Sequence, residues 1–68
     1  MRMKHTVKLR SGEQHCYYFR TKAESNKAFI NSLHLNATFN TIKCIWIEPE
    51  IHLEKRIRID FDERGYQI

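Results

Sequence analysis

The stretch Thr41-Ile42-Lys43-Cys44-Ile45-Trp46-Ile47, closed by Glu48-Pro49-Glu50, constrains this chain more than any other. It is the most apolar run in the sequence. Its β-branched and aromatic residues predict a strand at the centre of a sheet. Strict alternation sends Ile42, Cys44 and Trp46 to one side and Lys43, Ile45 and Ile47 to the other. A strand apolar on both sides needs cover on both sides, and one small helix covers only one. The expectation is a second apolar sheet surface, with Ile45 and Ile47 outward and Trp46 under the helix. A β-bulge near Cys44 would reverse this and turn Trp46 outward beside Tyr18 and Arg58.

The flanking segments supply the rest of the sheet. Residues 3 to 10 alternate: Met3, His5, Val7 and Leu9 form an apolar face, and Lys4, Thr6, Lys8 and Arg10 a basic one. Ser11-Gly12 punctuates the pattern, and residues 14 to 20 read as the returning strand of a hairpin. Thr21-Lys22-Ala23-Glu24 is a capping box that opens a helix from about Lys22 to His34. Its predicted core stripe is Ala23, Asn26, Phe29, Ile30 and Leu33, with Ser25, Ala28, Asn31 and Ser32 outward. Asn36 is a candidate left-handed cap. Residues 55 to 61 alternate again, with Ile57, Ile59 and Phe61 toward the core and Arg56, Arg58 and Asp60 outward. Residues 51 to 55 follow no clear pattern. Asp62-Glu63-Arg64-Gly65 reads as a turn, and Tyr66 to Ile68 as a short pairing or fraying tail. The order ββαββ predicts an α+β fold: a four-stranded antiparallel sheet with one helix packed on one face.

The 68 residues are expected to form a single small domain, 1–68. The longest apolar run, Cys44 to Ile47, is far too short to cross a bilayer. No apolar targeting segment follows the basic start. Two cysteines cannot build a disulfide framework, so both are read as reduced thiols and the location as cytoplasmic. In size and irregularity the chain resembles accessory proteins that phages and mobile elements encode.

Little in the sequence points to catalysis. Two glycines, Gly12 and Gly65, cannot make a phosphate-cradling loop. His15 and Cys16 are strand neighbours and point to opposite faces. The dispersed set His15, Cys16, Cys44 and His52 lacks the paired spacing of a structural zinc site, so no metal and no cofactor are expected. Glu48, Glu50 and Glu54 form a local acidic patch around Pro49, the ordinary make-up of a solvated turn.

What remains is binding. The net charge of +4 permits nucleic acid or an acidic protein as partner, and equally suits plain solubility. Lys4, Lys8, Arg10, Arg20, Lys43, Arg56 and Arg58 can all point away from the helix, with Tyr18 among them. Cations that track phosphate beside rings that stack on bases make a single-strand nucleic-acid face. An outward Ile45 and Ile47 in the middle would instead mark a protein contact. The sequence therefore favours a non-enzymatic regulatory or inhibitory binding protein. It would dock on a protein, or on itself as a homodimer, through the outer sheet face. A nucleic-acid module using the same face is the alternative.

Overall fold

The computed structural model describes residues 2–51 and 55–68. Strand β1 (Met3–Leu9) and strand β2 (Gln14–Phe19) form a hairpin, followed by helix α1 (Lys22–Phe39), strand β3 (Ile42–Pro49) and strand β4 (Ile57–Asp60). The four strands make one antiparallel sheet in the order β2-β1-β3-β4, with the helix on one face. This is the expected α+β arrangement. The two hairpin-like pairs meet through β1 and β3, so the first strand and the strongly apolar strand occupy the centre.

One bulge decides which way β3 faces. Lys8 pairs with Cys44, but Leu9 pairs with Ile42, which leaves Lys43 as an extra residue without a partner on β1. Ile42 therefore falls on the same face as Ile45 and Ile47. The irregular apolar pattern is the signature of this bulge and not of a strand buried on both sides. The core is Val7, Ile45 and Phe61, with Leu9, Phe29, Leu33, Ile42, Ile47 and Ile59 packed against it. The outward placement expected for Ile45 and Ile47 is thus corrected: Ile45 is fully buried beneath the helix and Ile47 is half-buried beside it. Trp46, expected under the helix, lies on the opposite face.

Pro49 closes β3 without breaking a ladder. Glu50 N–H donates to Arg2 carbonyl at 2.9 Å, so even-numbered β3 residues bond toward β1. Pro49 faces the β4 side, beyond the Ile47–Ile57 pair where β4 pairing ends, and its missing N–H is not required there.

The helix starts as predicted and runs five residues further. Glu24 N–H donates to Thr21 Oγ1 at 3.2 Å, which completes half of the box. The Glu24 carboxylate accepts from Arg20 N–H, one residue before the expected Thr21. The left-handed cap is Asn40 (φ 51), not Asn36. The seated stripe is rotated from the expected one. Ser25 and Asn36 are buried and Phe29 and Leu33 meet the core, while Ala23 and Asn26 are exposed and Ile30 faces out. Of the residues expected on the outer face, Ser25 is buried against the sheet, Ala28 and Ser32 are half-buried and Asn31 alone is exposed.

Two polar contacts anchor that approach. His5 Nε2 lies 2.6 Å from Ser25 Oγ in a buried hydrogen bond. Asn36 Nδ2 donates to Gly65 carbonyl at 2.9 Å, and its Oδ1 accepts from Ile42 N–H at 2.6 Å. The tail after β4 adds a bridge between Phe61 and Gln67.

Candidate functional site

The sheet face opposite the helix is a lattice of side chains fixed by strand register. In one row Tyr18, Lys4 and Glu48 lie side by side; in the next, Cys16, Thr6, Trp46 and Arg58; in the third, Gln14, Lys8, Cys44 and Asp60. Every member shares the face because each pair is in register and side chains alternate along a strand.

Trp46 is the centre of this face. It stands directly opposite Arg58, and the Arg58 guanidinium carbon lies 5.4 Å from the indole centroid. That of Arg56 lies 4.9 Å away. A guanidinium within about 6 Å of a ring centroid is held by the ring quadrupole. Arg58 also donates to Asp60 at 3.0 Å, and Arg56 lies 3.9 Å from the buried Glu48 carboxylate. The two arginines are thus held over the ring by the indole and by one carboxylate each.

A second cation–aromatic pair repeats the arrangement toward the hairpin. Arg2 lies 4.9 Å from the Tyr18 centroid and pairs with Glu50 at 3.4 Å. Tyr18 is half exposed. On β1, Lys4 lies beside Tyr18 and Lys8 in the row beyond Trp46, so that they flank Thr6, and among the described residues neither makes an ion pair. Arg2 is a member of this face that sequence reading missed, because it precedes the alternating segment and only register brings it to Tyr18.

Of the ten residues expected to bind, Lys4, Lys8, Tyr18, Arg56 and Arg58 are brought together here. Ile45 and Ile47 are not, since the bulge turns them into the core. Arg10 is also withdrawn: it donates to Asn40 Oδ1 at 2.9 Å and to the carbonyls of Phe61 and Asp62, and so fastens the helix end to the final turn. Lys43 is the exposed bulge residue. Arg20 lies just past β2, with its N–H committed to the helix start.

The remaining chemistry is sparse. Cys44 is buried on this face and Cys16 is exposed. Among the described residues no three His, Cys, Asp or Glu side chains come together as metal ligands. His15 and Cys16 point to opposite faces, and His52 and Glu54 lie outside the described residues. No described helix is long and apolar enough to cross a membrane. Comparison with protein families, with curated proteins and with solved structures finds no match.

Proposed function

We propose that this chain is a non-enzymatic module that binds single-stranded nucleic acid across the outer face of its sheet. One observation carries the reading: Trp46 faces outward, with two guanidinium groups over its ring and Lys4 and Lys8 on the adjacent strand, one row to either side. Lysines and arginines attract phosphate, while Tyr18 and the arginine-covered indole offer planes on which unstacked bases lie. An ordinary solvated face has no need to gather an indole and two arginines at one point. Docking of a protein on outward isoleucines loses its support, because that face holds no isoleucine pair.

Trp46 is the only tryptophan, so its emission reports on the proposed site alone. Single-stranded DNA and RNA oligonucleotides are expected to quench it saturably. The apparent affinity should fall with salt by about 0.7 log units per log unit for each phosphate neutralised. Emission that is indifferent to both oligonucleotides at low salt would refute the reading.

A further inference from the structure

The two edges of the sheet are treated differently. At β4 the backbone groups of Arg58 and Asp60 point outward, both side chains are charged, and the tail folds back so that Ile68 N–H donates to Asp60 carbonyl at 3.0 Å. Charge and cover of this kind are how native sheets protect an edge. Strand β2 has neither. Its sequence QHCYYF contains no Asp, Glu, Lys, Arg or Pro, and its register with β1 contains no bulge. Five of its six residues are exposed, and among the described residues no strand pairs with its outer side. Leu9 N–H donates to Glu13 carbonyl at 2.8 Å. By alternation His15, Tyr17 and Phe19 bond toward β1, while Gln14, Cys16 and Tyr18 aim their N–H and C=O groups at the open edge.

We infer that the chain forms a two-fold symmetric homodimer in which β2 pairs antiparallel with β2 of a second copy, with Cys16 on the axis. The self-match is specific. An axis at Cys16 sets Gln14 opposite the partner's Tyr18 and Tyr18 opposite the partner's Gln14. All three outward-bonding residues then find partners, with about two backbone hydrogen bonds for each facing pair. A chain of net charge +4 repels its own copies over most of its surface, but β2 can meet itself without like charges opposed.

The pairing also explains the flank of the helix face. An apolar groove of about 580 Å³ runs between α1 and the hairpin, lined by Val7, Tyr17, Phe19, Leu35 and Phe39 among others. Tyr17, Leu35 and Phe39 are 50%, 58% and 66% exposed. On that face His15 comes opposite the partner's Tyr17 at the close, non-bonded spacing, which covers the β2 side of the groove. The product is a continuous sheet of eight strands, four from each copy, with a shared outer face. This inference stands apart from nucleic-acid binding, since the edge and not the face carries it.

Sedimentation equilibrium of the full chain, without nucleic acid, tests the dimer across the micromolar range. A species of twice 8.3 kDa is expected. A short bismaleimide should trap it covalently through Cys16, because the other thiol, Cys44, is buried, and Cys16→Ser should abolish the trapping. Cys16→Lys places like charges across the axis at an exposed position, and should weaken dimerisation by about tenfold or more while leaving the circular dichroism spectrum unchanged. A monomer at every concentration overturns the inference. So does a dimer that bismaleimide cannot trap and that Cys16→Lys leaves intact, or a monomer whose β2 edge takes up an extended peptide of another protein. Trp46 quenching is read separately, so nucleic-acid binding can fail while the mass remains that of a dimer.

Discussion

Asn36 donates from its side-chain amide to the carbonyl of Gly65, and Gly65 in turn lies against the helix so closely that a Cβ would collide with the Asn36 backbone oxygen. One fully buried side chain thus joins the last turns of α1, the start of β3 and the C-terminal turn. Gly65 also has φ +92, a conformation that other residues adopt only with strain.

This linkage predicts two costly substitutions. Asn36→Ala leaves the buried Gly65 carbonyl and the half-buried Ile42 N–H without partners, and should lower stability by about 2–5 kcal/mol in urea denaturation. Gly65→Ala adds strain and a collision, and should cost at least about 1–3 kcal/mol. Near-normal urea midpoints for both would show that the contact contributes little.

The burial of His5, where it meets Ser25, makes stability depend on pH. Burial lowers the His5 pKa from its ordinary 6.5. Above that value both folded and unfolded chains are neutral at this site, and its contribution is full. As pH falls below it the unfolded chain takes up a proton first, so stability drops until the lower folded pKa is reached. The melting temperature should therefore decline as the pH falls through 6.5, and His5→Gln should flatten that part of the profile. An identical decline in the variant would assign it to the other histidines.

The helix start offers a smaller effect. Thr21→Ala removes the acceptor for Glu24 N–H and should cost about 1 kcal/mol. Glu24→Ala should cost less, because its carboxylate meets only the exposed Arg20 N–H at 3.3 Å. Thermal melts of the two variants check the order.

These contacts separate what the sequence makes legible from what it does not. Period-two alternation places β1, β2 and most of β4 within a residue or two, and the Thr21 box places the helix start. Alternation fails at Lys43, where one inserted residue shifts every later side chain to the other face. A half-apolar pattern cannot say whether a strand is bulged or doubly covered. The helix stripe is misplaced for a related reason. Ser25 and Asn36 are polar, and only the positions of His5 and Gly65, distant in sequence, turn them into buried anchors. On the outer sheet face, the basic residues on alternating strands are legible, but the neighbours of Trp46 wait on the bulge.

Three substitutions on the outer face and one in the core beneath it separate stacking, charge and scaffold. Trp46→Leu should weaken single-strand binding by about 1–3 kcal/mol, the usual value of one stacked base, and leave the salt slope unchanged. Arg58→Ala should do part of the same, since it removes one plane over that ring and one cation. Lys8→Ala touches no aromatic group, and should cut the salt slope by about 0.7 with a smaller loss of affinity at high salt. Ile45→Lys introduces a charge where the side chain is fully buried beside Val7 and Phe61, so it should unfold the chain and not merely affect docking. Fluorescence anisotropy of a labelled oligonucleotide, in a salt series for each variant, distinguishes these outcomes. If Trp46→Leu binds as tightly as the parent while Lys8→Ala flattens the slope, the lysines attract phosphate but the indole takes no base. The face would then be a general polyanion surface and not a single-strand site.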